Sequence, residues 1–207
     1  VDSDVIKVSK AGMVEPVKDG EAKLKIVHKN QTSTLSVRVT GVGGDFSPDY
    51  VRDVMPVLSK LGCNAGTCHG SKDGKNGFKL SLRGYDPIYD MRAFTDDLAS
   101  RRVNIAAPDN SLILLKCSAA VPHEGGQLTK MGEDYYEILK AWISNGAKLD
   151  TASVRVASIE LFPRNSVVQK IGDQQQMRVI ATYANGEKRD VTAESFIETG
   201  NSDIATT

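Results

Sequence analysis

Two cysteines and a histidine form the stretch of this sequence that is best equipped for chemistry. Four residues separate Cys63 from Cys68, and His69 follows the second cysteine directly. Each thiol can add to one vinyl group of haem, and a histidine beside the second thiol can then ligate the iron axially. The usual haem motif has two residues between the cysteines, so on spacing alone a disulfide or half of a zinc site are alternatives.

A zinc site would need further ligands at a paired spacing. The sequence holds no second pair of cysteines or histidines at such a spacing. The third cysteine, Cys117, ends the apolar run 112–117, which favours an inert, buried thiol. The ligand count therefore favours haem over zinc.

A second axial ligand could come from several side chains. His123 follows Pro122 and precedes two glycines, which would let the backbone approach a flat ring closely; the competing interpretation is a surface histidine bonded to a haem propionate. Met131, just before the last predicted helix, and Cys117, as a thiolate, are distal alternatives, and an open site is another. Two histidines give a lower reduction potential than histidine with methionine.

Basic residues could bind the haem propionates. A guanidinium fork matches a carboxylate in shape and charge. For each of these residues, a solvated surface charge is the competing interpretation. The candidates are Arg83, Arg101, Arg102, Lys75 and Lys79.

The composition is that of an ordinary globular protein. Of the 207 residues, 40% are hydrophobic and 25% charged, and the formal net charge is zero. A balanced charge argues against nucleic acid as a partner. The sequence contains no apolar run as long as a membrane span, so no transmembrane segment is predicted.

Both ends of the chain have the alternation of β-strands. We call residues 1–42 the N-terminal flank and residues 153–207 the C-terminal flank. Alternation of apolar and polar residues over 22–26 and 177–183 predicts strands. Asn185-Gly186 predicts a tight hairpin turn in the C-terminal flank.

Residues 45–150, the central region, change to helical patterns. Apolar residues recur at helical spacing before the cysteines and again near the end of the region, as in a small cytochrome c. One short strand is predicted over 78–82. Predicted helices begin at Ser47-Pro48 (with a kink at Pro56), at Asp86-Pro87 and at Asn110-Ser111, and a last one covers 134–145 and stops at Gly146.

The central region resembles the planctomycete-type cytochrome c domain. The matching stretches are 53–60, 63–69, 74–87, 121–126 and 142–147. The resemblance covers about half of the chain, and its motifs agree in order. It implies covalent haem c, iron, electron transfer, a place in a larger protein, and a periplasmic or cell-surface location. The extended four-residue spacer is itself a feature of that family.

The spacer must bulge outward if both sulfurs are to reach one haem. We therefore predict that residues 64–67 do not form a regular helix. Gly66 is predicted to take the unusual backbone angles of the bulge, because glycine has no Cβ.

The two flanks resemble bacterial Ig-like repeats of group 2, on the stretches 20–26, 183–186 and 189–192. Residues 13–39 resemble the end of one repeat and residues 156–207 the start of the next. Neither flank has enough strands for a sandwich core, so we predict that they pack into one sandwich of about seven strands, within one chain or between chains. The expected fold class is therefore multi-domain: a mostly α cytochrome c-like haem domain plus an all-β Ig-like sandwich.

These observations favour an electron-transfer protein with no catalytic residues, a six-coordinate haem and a redox partner protein. One alternative is a haem enzyme or a gas or redox sensor with an open or displaceable distal ligand. Another is a structural or adhesion protein built on the Ig-like flanks.

Overall fold

The computed structural model describes residues 3–10, 12–98 and 101–207. Its internal contacts divide the chain into two units, Val1–Phe46 and Ser47–Thr207. The boundary lies close to the predicted end of the N-terminal flank. The central region and the C-terminal flank share the second unit.

The first unit is built from antiparallel hairpins. Its described residues form β1 (Ile6–Val8), β2 (Val14–Pro16), β3 (Gly20–His28) and β4 (Gln31–Val39). β1 pairs with β2, and β3 pairs with β4. The strand predicted over 22–26 is confirmed. The buried core is small and consists of Val5, Ile6 and Ala22, with Val14, Val37 and Val39 packed against it.

The central region consists of short helices joined by turns. They are a π-helical turn (Tyr50–Val54), α1 (Met55–Lys60), a 3-10 turn (Leu82–Gly84), α2 (Pro87–Thr95), a second 3-10 turn (Pro108–Asn110), α3 (Leu112–Cys117) and α4 (Asp134–Ser144). The predicted start of α2 is confirmed, because the Asp86 side chain accepts a hydrogen bond from the Tyr89 amide. The predicted stop after α4 is also confirmed, with Gly146 at a φ of +92°.

Two predictions in the central region are wrong. The first helical turn begins at Tyr50 and not at Ser47, because Asp49 accepts from the Arg52 amide and caps the turn. The helix changes from π to α geometry next to Pro56, which lies in the first turn of α1. The strand predicted over 78–82 does not form.

Large side chains from several helices meet in one core. Trp142 of α4 lies at its centre, with its ring centroid 5.3 Å from Tyr50 and 6.0 Å from Phe94. The face of α4 that was predicted to be apolar buries Leu139, Trp142 and Ile143. Buried aromatic area of this kind dominates the stability of a small core and fixes the helices around it.

The C-terminal flank forms one antiparallel sheet of β5 (Val156–Phe162), β6 (Arg178–Tyr183) and β7 (Lys188–Asp190), in that order. The predicted turn at Asn185-Gly186 joins β6 to β7 and is confirmed. β6 buries alternate residues, Val179, Ala181 and Tyr183.

The sheet of the C-terminal flank packs on the first helix of the central region. The Arg52 guanidinium stacks over the Tyr183 ring at 4.5 Å and pairs with Glu187 at 2.8 Å. Arg189 forms an ion pair with Asp53. These contacts join the two parts of the second unit.

The predicted sandwich and fold class stay predictions. In the described ranges, each strand pairs only with strands of its own flank. None of the helices described is long and apolar enough to cross a bilayer.

Candidate functional site

The haem-type motif lies in a loop that starts where α1 ends. Gly62, at a φ of +77°, turns the chain out of the helix. The Cys68 amide then donates to Ala65 O at 2.9 Å, and the His69 amide donates to Cys63 O at 3.0 Å. These bonds close the spacer into turns, so the prediction that it is not a regular helix is confirmed.

The prediction for Gly66 is wrong. Its φ lies outside the left-handed region, and an added Cβ would only make ordinary contact, 3.6 Å from Leu82 Cδ1. Gly62 supplies the left-handed angle and Gly70 supplies the close approach: a Cβ on Gly70 would lie 2.0 Å from Asn64 O. The spacer therefore folds back on the residue after the motif, and the glycine requirement lies outside the spacer.

Asn64 anchors the spacer from within. It is 1% exposed, and its amide nitrogen donates to Ser59 Oγ at 2.8 Å. The main-chain oxygen of Asn64 accepts from the Arg83 amide at 3.0 Å. The sequence pattern gave no reason to single out this residue, because asparagine in a loop is most often exposed.

The thiols of Cys63 and Cys68 are both free. Burial, together with the nearby Cys117 and Cys68, raises the pKa of Cys63 to about 12. The Cys63 thiol is therefore protonated and neutral at pH 7.

Cys117 ends α3 and is 3% exposed. Its thiol donates to Leu114 O at 3.4 Å, and burial raises its pKa to about 11. A protonated thiol is a poor iron ligand, because the thiolate is the form that binds metals. This geometry favours the inert, buried interpretation of Cys117.

His69 is fixed at two points by one segment. Its Nδ1 lies 2.9 Å from Phe78 O, and its main-chain oxygen accepts from the Leu80 amide at 2.8 Å. These two bonds explain why 78–82 is not a strand: its backbone groups pair with His69. Because a carbonyl can only accept a hydrogen bond, the proton of the neutral imidazole sits on Nδ1, and Nε2 is free to bind a metal.

Burial of His69 lowers the pKa of its imidazole, and the positive charges of His123, Arg102 and Lys75 lower it further. The bond to the Phe78 carbonyl acts in the opposite direction. The neutral imidazole is the form that ligates iron.

His123 has the same arrangement as His69. Its Nδ1 lies 3.1 Å from Gly126 O, which leaves Nε2 free. An added Cβ on Gly125 would come 2.9 Å from His123 Cε1, so a side chain at position 125 would move the ring from this position. Both candidate axial ligands therefore have the proton on Nδ1 and an available Nε2.

The three candidate arginines lie in different surroundings. Arg102 is 6% exposed and donates to Ala93 O at 2.5 Å and to Gly77 O at 3.0 Å. Arg101 is exposed. Arg83 stacks at 5.4 Å over the ring of Phe196 in the C-terminal flank. The structure brings only Arg102 into close relation with His69, and a propionate role for any of the three stays a prediction.

Two other candidates have simple surroundings. Met131 is 68% exposed in the loop before α4. The Lys79 ammonium donates to Lys72 O at 2.5 Å. Neither observation assigns these residues to iron or to a propionate.

The donor set consists of the Cys63 and Cys68 thiols and the His69 and His123 imidazoles. In the part of the chain that the structure describes, no three His, Cys, Asp or Glu side chains converge on a point that could hold an ion. A structural zinc needs four protein ligands, whereas haem iron needs only two axial ones. Two free thiols and two imidazoles with available Nε2 atoms are the kinds of ligand that haem c takes.

Comparison with known proteins gives no information on function, so a proposal has to rest on the two thiols and the two imidazoles of the site. The resemblances to the planctomycete-type cytochrome c domain and to Ig-like repeats stay predictions. No protein-family model, no curated protein and no solved structure matches this chain.

Proposed function

We propose that the central region is a monohaem c-type cytochrome domain that transfers single electrons. Cys63 and Cys68 hold the haem by thioether bonds, and His69 and His123 are its axial ligands. One observation carries the proposal: each imidazole has its Nδ1 on a backbone carbonyl and its Nε2 free. This is the arrangement by which proteins orient a metal-binding histidine.

The chain's own residues hold the ligands with little freedom to move. The bound haem supplies an iron that changes oxidation state by one electron. Phe78 O and the Leu80 amide hold His69, and Gly126 O orients His123. Two neutral imidazoles give a lower reduction potential than a methionine ligand would.

Thioether attachment to haem takes place outside the cytoplasm. We therefore place the protein in the periplasm or at the cell surface, where it exchanges electrons with a redox partner protein. Its balanced charge supports a protein partner over nucleic acid.

A sensor with a displaceable distal ligand is the second candidate. The observation in its favour is that His123 belongs to a largely exposed loop and that its ring bonds within that loop, to Gly126 O. His69 is tied instead to Phe78 and to buried Leu80. Of the two ligands, His123 would be the one to leave.

Spectroscopy of the chain, produced outside the cytoplasm with a haem-attachment system, tests the proposal. Haem that survives acid-acetone extraction establishes covalent attachment. A low-spin ferric electron paramagnetic resonance (EPR) spectrum with near-infrared bands typical of two histidines supports electron transfer, provided that carbon monoxide leaves the visible spectrum of the reduced protein unchanged. Rapid binding of carbon monoxide supports the sensor, and complete extraction of haem contradicts both.

A further inference from the structure

We infer that Arg102 is a positioning residue for His69, acting through Phe78 and not through a propionate; this rests on the proposed haem function. Arg102 is buried, and its guanidinium carbon lies 4.5 Å from the centre of the Phe78 ring. A planar guanidinium stacked on an aromatic face is held by both cation–π attraction and packing.

Phe78 contacts His69 through both its ring and its main chain. The two ring centroids are 4.6 Å apart, with the planes inclined by 49°. The carbonyl of Phe78 lies 2.9 Å from His69 Nδ1. A shift of Phe78 would therefore change both the tilt of the imidazole and the hydrogen bond that fixes its tautomer.

Arg102 ties the segment that carries Phe78 to α2. One guanidinium nitrogen donates to Gly77 O, directly before Phe78, and the other donates to Ala93 O within α2. Phe94 packs on Phe78 as well, at 5.2 Å and 63°. Phe78 thus contacts three rigid partners: the imidazole, the guanidinium and a core ring.

The hydrogen bonds of Arg102 leave little of its fork for a propionate. Both terminal nitrogens already donate to carbonyl oxygens, and the Asp97 carboxylate lies 3.5 Å away. A bidentate propionate contact would compete with these bonds. The surroundings of Arg102 are those of a residue that fixes the backbone.

The substitution Arg102→Lys separates positioning from charge. Lysine keeps the positive charge, but one ammonium cannot bridge two carbonyls and stack flat on a ring. We expect shifted or broadened EPR g values, because these depend on the imidazole planes. We also expect cyanide to displace an axial histidine about 10- to 100-fold faster, the usual scale for loss of an outer-shell partner. Arg92→Lys, at an exposed position of α2 beside Ala93, is the matched control and should change neither property.

Phe78→Leu provides a second test that does not depend on Arg102→Lys being stable. It removes the ring and keeps the carbonyl that accepts from His69. It should shift the g values in the same direction. Phe78→Leu should also speed the displacement of an axial histidine by cyanide. If both single variants are stable, the cyanide rate of the double variant should rise by less than the product of the two single increases, because both changes act on one chain of contacts.

The outcomes separate this inference from the proposed function. A wild-type chain without covalent haem refutes the proposed function. A haem-loaded Arg102→Lys variant with wild-type g values and a wild-type cyanide rate overturns the positioning role alone. An unchanged spectrum in haem-loaded Phe78→Leu overturns it too.

Discussion

The substitution Gly70→Ala tests whether the motif loop is folded as described. An alanine Cβ would lie 2.0 Å from Asn64 O and 2.9 Å from Ala65 O, both of them main-chain atoms. The first pair must separate by more than about 1 Å to reach ordinary contact. No side-chain rotation can relieve the overlap, so the loop must open.

Opening the loop breaks hydrogen bonds as well as packing. The bonds at risk run from the Gly70 amide to Ala65 O and from the His69 amide to Cys63 O, each 3.0 Å long. Overpacking costs about 1–3 kcal/mol, and each hydrogen bond about 1 kcal/mol. We expect the free energy of unfolding to fall by about 3–5 kcal/mol, and the yield of covalent haem to fall with it.

Urea unfolding followed by the fluorescence of Trp142, the single tryptophan, measures this loss. With a slope of about 2 kcal/mol per molar urea, the midpoint should drop by about 2 M. Gly66→Ala is the matched control, since its Cβ would make only ordinary contact with Leu82. Its free energy of unfolding should stay within about 0.5 kcal/mol of wild type, so its midpoint should move by no more than about 0.25 M. Equal midpoints for the two variants would refute the described loop.

Three further predictions concern the ligands, the thiols and a buried carboxylate. His123→Ala should convert the low-spin haem to a form that binds carbon monoxide when reduced, whereas His28→Ala, at an exposed strand position, should not. Stopped-flow mixing with carbon monoxide measures the difference. A His123→Ala protein that does not bind carbon monoxide would point to another distal ligand. Cys63→Ser should leave haem attached by one thioether and move the α band of the reduced haem in pyridine to longer wavelength, whereas Cys117→Ser should leave the band in place. A shift in Cys117→Ser alone would mean that Cys117, and not Cys63, forms a thioether. Asp90 lies in α2, and its burial raises the pKa of its carboxyl group. The folded chain therefore binds a proton at Asp90 more tightly than the unfolded chain does. Wild type should therefore gain stability relative to Asp90→Asn between about pH 7 and about pH 5, as urea midpoints at the two values can show, and a gap that moves the other way would contradict the sign.

Local rules predicted the features that depend on neighbours in sequence. The cap at Asp86, the stop at Gly146 and the turn at Asn185-Gly186 follow from the backbone preferences of those residues. The apolar face of α4 follows from helical periodicity. The pairing of Cys63 and Cys68 with His69 is visible in the sequence because the three are close together in it.

Features that depend on distant contacts were not predictable in this way. The alternation over 78–82 indicates a strand, but its carbonyl and amide groups bond to His69. From sequence alone, Arg102 is expected to be a solvated surface charge. In the structure it is buried and donates to the carbonyl oxygens of Gly77 and Ala93. The steric demand on Gly70 is likewise set by the path of the spacer, which residue type alone does not encode.

Cysteine alkylation followed by intact mass measurement tests covalent haem attachment most directly. The chain has three cysteines. After production with a haem-attachment system, acid-acetone treatment and denaturation, we predict a mass increase of one haem and a single alkylated cysteine, Cys117. A chain without haem mass that is alkylated at all three positions would contradict the account.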